Sequence, residues 1–246
     1  MVVFQLLKNL IWKLVNHNMG SDDLFKKRRK ERAKRKHDYK QPKANSFLIV
    51  TEGKQTEPLY FKGIQKQIED KIGGHIDIVE APIINICGRG SSTSKLIDIT
   101  DEIIKKAKII YQNVWIVFDK DDFEDFDQAI SNGQNKGYKI AWSNQSFEYW
   151  LYLHFEYSDS ALHRNVWNSK LKEIFKEYNL GDGTYRKNDE NIYAIVDTFD
   201  GVNTAIKNSK RRMASFRKNI DKPSEYDPGT TVYQLVEELK KYLDES

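Results

Sequence analysis

Short apolar runs punctuate the middle of the chain, with amphipathic stretches between them. Phe47-Leu48-Ile49-Val50-Thr51 and Val114-Trp115-Ile116-Val117-Phe118 are apolar almost throughout and rich in β-branched or aromatic residues. A strand covered on both faces has that composition, whereas a strand with one wet face alternates. Ile76–Val79, Ile83–Ile86 and Tyr138–Trp142 read as further short extended segments. Between these runs apolar residues recur at helical spacing. Leu59, Phe61, Ile64 and Ile68 do so from Pro58 to about Lys71, and Leu96, Ile99, Ile103 and Ala107 from Thr93 to about Ile110. Pro58 suits a first helical turn, and Thr93 or Ser94 can cap the second helix. A helix over Glu124–Asn135 closes at Gly137, and an aromatic-rich one is expected over Phe147–Phe155. Strand and helix therefore alternate from 47 to 155, which predicts an α/β domain built on a parallel sheet with right-handed crossovers.

The rest of the chain predicts helices at Arg164–Tyr178, Asp189–Phe199, Val202–Arg217 and Thr230–Leu243, the last entered through the turn Asp227-Pro228-Gly229. The expected fold is thus a parallel sheet flanked by helices, with a helical C-terminal part. No internal repeat is visible.

Charge divides the chain differently. Residues 26–43 hold eleven Lys and Arg against Glu31 and Asp38, a net of +9, while residues 1–25 are neutral and the whole chain is +4. Residues 44–246 are therefore at −5. An acidic body, 46–246, carries a basic arm within a flexible extension, 1–45. Such an arm suits phosphates, an acidic partner or a membrane surface, and also suits a solubilising lead-in. Residues 1–18 are apolar but interrupted by Lys8 and Lys13, and lack a small-residue cleavage site, so no signal peptide is expected. They read as a short amphipathic helix, or as residues ahead of a start at Met19.

Composition narrows the class. A chain of 246 residues can bury a full core, and 12% aromatics argue against wholesale disorder. The single cysteine, Cys87, excludes an internal disulfide and a multi-cysteine zinc site, and points to a reducing, cytoplasmic setting. No apolar run reaches the ~18 residues needed to span a membrane.

In open α/β sheets, sites form beyond the carboxyl ends of the strands. Two of these ends carry acids: Glu52 after the first run, Asp119 and Asp121 after the second. If the two strands are neighbours, three carboxylates meet at one mouth. Their mutual repulsion then calls for a cation, and hard oxygen ligands suit Mg²⁺ or Mn²⁺. An Asp-x-Asp just past a strand can aim both carboxylates one way, and it also fits a solvated turn with a helix cap. Gly88-Arg89-Gly90-Ser91-Ser92 reads as an ordinary loop or as a phosphate contact through Arg89, without the order of a P-loop. His154 and the aromatics Tyr149, Trp150, Tyr152 and Phe155 read as core. Lys210, Arg211, Arg212, Arg217 and Lys218 form a second basic cluster, either a nucleic-acid groove or a solvated face.

Three blocks then resemble the RloB-like proteins of bacterial defence loci: FLIVTEGKQTEPLYFKGI at 47–64, VWIVFDKDDF at 114–123 and IAWSNQSFEYWLYLHF at 140–155. TTVYQLVEEL at 230–239 fits the same family, so the resemblance spans about 47–243. It implies kinship with Toprim domains, whose pattern is a Glu after the first strand and an Asp-x-Asp after the third. Glu52, Asp119 and Asp121 match that pattern. The resemblance implies that Glu52 is a general acid/base sharing a metal held by Asp119 and Asp121, with Glu148 a further ligand or simply a helix-start charge. It also implies substrate contacts at Lys54, Asn144 and Lys187, beside the Arg89 contact read from the loop, although a lysine such as Lys187 fits a solvated loop equally well. The expected activity is that of a metal-dependent nuclease acting on DNA or RNA in anti-phage defence beside an ATPase partner. The alternative is a non-catalytic, Toprim-shaped regulatory subunit of such an ATPase.

Overall fold

The computed structural model describes residue 26 and residues 41–73, 83–88, 93–120, 124–216 and 222–244. The chain divides into two units at the Gln41–Pro42 bond, and the second holds the sheet and its helices. The strands are β1 (Gln41–Thr51), β2 (Ile83–Gly88), β3 (Ile109–Lys120) and β4 (Lys139–Asn144). The helices are α1 (Thr56–Gly73), α2 (Thr93–Lys106), α3 (Phe126–Asn135), α4 (Phe147–Tyr152), α5 (Arg164–Glu177), α6 (Ile192–Val196), α7 (Gly201–Ser215) and α8 (Val232–Asp244). No helix among the described residues is long and apolar enough to cross a membrane.

The sheet order is β2-β1-β3-β4. β1 pairs parallel with β2, and β3 with β4. Midway along β1 the Gln112 N–H donates to Ser46 Oγ (2.9 Å), and past its end the Glu52 N–H donates to Val117 O (2.9 Å). β1 and β3 therefore run the same way, and their carboxyl ends are side by side.

The apolar runs work as two-sided strands. Phe47 and Ile49 of β1, Trp115 and Val117 of β3 and Ala141 of β4 face one core, shared with α1 and the helices from α4 to α8. Leu48, Val50, Ile116, Phe118, Ile140 and Trp142 face the other, under α2 and α3. Successive side chains of a strand point to opposite faces, so an unbroken apolar run fills both cores at once. The result is a three-layer α/β sandwich. Tyr149, Trp150 and Tyr152 lie in the first core with Phe155 packed against it, as the core reading expects.

The outer edge of β4 is closed by the chain entering α8. Asn144 N–H donates to Gly229 O and Thr231 N–H to Trp142 O, both at 2.8 Å. Arg212 holds that crossing from below, donating Nε to Pro228 O (2.8 Å) and Nη2 to Asp227 O (3.0 Å).

Several boundaries differ from the sequence pattern. The helix expected to reach Ile110 ends at Lys106, and β3 starts at Ile109 rather than Val114. β1 begins six residues before Phe47, and the early part of β3 pairs with it through Ser46. Those positions include Gln112 and Asn113, so they lack the composition of a buried strand. The helix expected over 189–199 is only Ile192–Val196. Asp189 Oδ1 takes the Asn191 N–H (2.9 Å) before it, and Phe199 and Asp200 both adopt left-handed backbone (φ 60° and 63°) after it. The aromatic helix stops at Tyr152 instead of Phe155. The segment expected at 76–79 lies outside the described residues.

Candidate functional site

The side-by-side strand ends bring the first two acids together. Asp119 N–H donates to Glu52 Oε2 at 3.3 Å. Asp119 Oδ2 accepts the N–H of Phe147 at 2.9 Å. That donor arrives because the chain leaves β4 at Asn144 and reverses through Gln145, whose φ of 80° is left-handed. A non-glycine residue there costs about 1–3 kcal/mol and persists only where its surroundings dictate it. Here the Gln145 amide is fixed to Asp227 Oδ2 (3.1 Å).

Two further carboxylates close on Asp119. Glu57 stands in the first turn of α1, buried, with its carboxylate folded onto Gly53. A Cβ on Gly53 would fall 2.0 Å from Glu57 Oε2, so only glycine allows this approach. Backbone N–H groups of Gly53 and of Glu57 itself favour the ionised carboxylate. Glu148 stands in the first turn of α4 and is 4% exposed. Its Oε1 meets Lys187 Nζ at 2.6 Å and accepts from the Tyr185 hydroxyl at 3.3 Å. Asp119, Glu57, Glu148, Lys54 and Lys187 all line one cavity of about 420 Å³, together with the loop from Gly53 to Thr56.

The charges of this cluster work against one another. Burial pushes the Asp119 carboxyl well above its ordinary range, and the charges of Glu57, Glu148 and then Glu52 push it further, against the Phe147 N–H. Burial also raises Glu57, with Glu148 adding to it while the backbone N–H groups and Lys187 oppose. Carboxylates forced together in this way form a sink for positive charge, and their hard oxygens match Mg²⁺ or Mn²⁺. Among the described residues, no three His, Cys, Asp or Glu side chains already stand as a ligand set.

The helices that carry Glu57 and Glu148 are tied one to two turns further along. His154 is 3% exposed, and its Nδ1 lies 3.0 Å from Trp150 O. A carbonyl only accepts, so Nδ1 carries the proton, and Nε2 accepts the Tyr60 hydroxyl at 3.0 Å. Burial holds this imidazole neutral, its pKa pushed down to about 3. The pair fastens the end of α4 to α1.

Glu52, Asp119, Glu148, Lys54 and Lys187 are thus brought to one region, although Glu52 braces Asp119 from behind and is not part of the cavity wall. Asp121 and Arg89 lie outside the described residues. Asn144 is fully buried and its amide nitrogen donates to Ser224 O (3.0 Å), toward the C-terminal crossing. The second basic cluster is largely engaged. Lys210 pairs with Glu237, Arg211 stacks 3.9 Å over Tyr157, and Arg212 holds Asp227 and Pro228. Arg217 and Lys218 lie outside the described residues. Glu57 escapes the sequence reading, because a Glu before Pro58 looks like an ordinary helix-start charge. Its one signal is the glycine four residues earlier.

No curated protein and no solved structure matches the chain. A family model does: that of the RloB-like protein covers residues 47–239, from the first buried strand to the last helix. It takes in β1 from Phe47 onward, β3, α4 and every residue described around the cavity, and the chain belongs to the RloB-like family.

Proposed function

We propose that this chain is a Toprim-type, Mg²⁺- or Mn²⁺-dependent nuclease that hydrolyses phosphodiesters of DNA or RNA, as an effector of anti-phage defence beside an ATPase partner. The observation that carries the reading is the meeting of Glu52 and Asp119 at the ends of adjacent parallel strands, with Glu57 and Glu148 closing on Asp119. Burial and repulsion disfavour the charge of Asp119 and Glu57, and carboxyls perturbed in this way cluster at functional sites.

Asp119, Glu148 and Asp121 would hold the cation, with Glu57 beside them. Bound there, a divalent ion offsets the charge that builds on a phosphate during phosphodiester cleavage. Glu52, which accepts the Asp119 N–H, positions that residue from behind the cavity wall, and the family resemblance gives it the further role of general acid/base. Phe147 N–H fixes Asp119 Oδ2, leaving Oδ1 for the cavity. Lys54 supplies positive charge at the rim, where a nucleic-acid backbone would pass. The basic arm adds a second, less specific attraction for the same polyanion.

Purified protein is offered plasmid DNA, single-stranded DNA and total tRNA with Mg²⁺, with Mn²⁺ or with EDTA. Cleavage that needs metal and vanishes in Asp119→Ala and Glu52→Gln supports the reading and names the substrate. Cleavage that survives either substitution refutes it. Folded protein that cuts nothing, alone or with its ATPase, favours the non-catalytic subunit.

A further inference from the structure

Glu148 is buried almost completely, and a buried carboxylate left without a counter-charge is costly. Lys187 supplies that charge at 2.6 Å. The two partners differ in their surroundings: the Lys187 side chain is 52% exposed, the Glu148 side chain 5%. Here one end is fixed in the cavity wall and the other reaches in from water on a flexible stem.

The root of that stem is anchored. Lys187 O accepts the Thr56 hydroxyl at 3.1 Å, beside Glu57, and Arg186 next to it is paired with Asp182 at 2.6 Å. The ammonium can therefore leave Glu148 without the backbone moving, and its reach keeps it at the mouth of the same cavity.

We propose that Lys187 is an exchangeable counter-ion: its ammonium occupies the cation's place at Glu148 in the metal-free protein, and cation entry drives it to the mouth of the cavity. The proposal rests on the metal-dependent reading of the same site. The Lys187 ammonium and a divalent cation repel each other and compete for the Glu148 carboxylate, so each binding event opposes the other. An exchange of this kind imposes an order. The metal loads first, and only then is the Lys187 ammonium free to meet a phosphate. In metal-free protein that ammonium stays paired with Glu148 and offsets one carboxylate of the cluster.

Mn²⁺ binding is measured by titration calorimetry without substrate for the full chain, Lys187→Met and Lys187→Arg. In parallel, wild-type protein is labelled with an acetylating reagent with and without Mn²⁺, and Lys187 modification is read by mass spectrometry. Removing the competitor tightens Mn²⁺ binding about fivefold in Lys187→Met, the scale of a half-exposed ion pair, whereas Lys187→Arg stays near wild type. Mn²⁺ raises the labelling rate of Lys187. Unchanged or weaker binding in Lys187→Met overturns the exchange, and so does labelling that metal does not change, a readout that needs no variant to fold. Failure of all three proteins to bind Mn²⁺ overturns the metal-dependent reading itself, and the exchange with it.

Discussion

Acid should loosen the tie between the two helices that carry Glu57 and Glu148. His154 is buried and neutral, bonded to Tyr60 on one side and Trp150 O on the other. Its pKa falls from the ordinary 6.5 to about 3 on folding. The unfolded chain thus takes up a proton near 6.5 that the folded chain refuses until about 3. Stability from this residue is complete above 6.5 and drains as pH falls below it. The full gap corresponds to about 5 kcal/mol, and going from about pH 7.5 to about pH 5 expresses about 2 kcal/mol of it. Other groups titrate too, so the test is a difference. His154→Gln keeps an acceptor for Tyr60 and a donor for Trp150 O but does not titrate. It gives up ring packing against Tyr60 and Trp150, whose centroids lie 5.6 and 5.0 Å away, at a cost of about 1–3 kcal/mol. Urea unfolding followed by tryptophan fluorescence, in EDTA at both pH values, gives the two slopes. Wild type should lose about 2 kcal/mol more than His154→Gln on acidification. Equal losses would mean that the imidazole is not held neutral in the core.

Raised carboxyls act with the opposite sign: folded protein keeps protons that the unfolded chain has released, so metal-free stability falls as pH rises through the carboxylate range. Asp119→Asn removes one such charge and keeps an acceptor for the Phe147 N–H, and should melt about 2–4 °C higher near neutral pH in EDTA, by calorimetry, while losing metal-dependent cleavage. Gly53→Ala would place a Cβ 2.0 Å from Glu57 Oε2 and push that carboxylate out by more than about 1 Å, which should cut the cleavage rate about 100-fold in a protein whose circular dichroism is unchanged. Arg212→Gln loses its charge-assisted bonds to Asp227 O and Pro228 O and should cost about 2 kcal/mol in urea unfolding. Nucleic-acid affinity measured at low temperature, where that variant is folded, should stay within about twofold of wild type, since Arg212 is spent within the fold.

Burial governs which parts of the fold are legible in the sequence. β1 and β3 lie at the centre of the sheet, where both faces need apolar side chains, so their runs and their terminal acids stand out. That Glu52 and Asp119 meet depends on those strands being neighbours, which no single-sequence pattern fixes. Glu57 is hard to read in the sequence because its role depends on Gly53 leaving room for its carboxylate, and a lone glycine four residues earlier does not show that approach. Asn144 illustrates the reverse. Its place at a strand end suggests the cavity, yet its amide is taken by Ser224 O from a segment eighty residues away. The cluster at 210–212 looks like a free cationic face because its partners, Glu237, Tyr157 and the Asp227–Pro228 carbonyls, are equally remote or ordinary in sequence. Short elements such as α6 depend on local bonds and left-handed residues more than on periodicity, so the hydrophobic pattern overruns them.

Whether the acid mouth cuts phosphodiesters is decided most directly by following release of nucleotides from plasmid DNA, single-stranded DNA and tRNA by wild type and Asp119→Ala, in Mg²⁺, in Mn²⁺ and after EDTA. Cleavage of at least one substrate, abolished by EDTA and by Asp119→Ala, is the predicted result. Cleavage indifferent to either, or folded wild-type protein inert in both metals with the proposed ATPase partner present, would contradict a metal-dependent nuclease centred on Asp119.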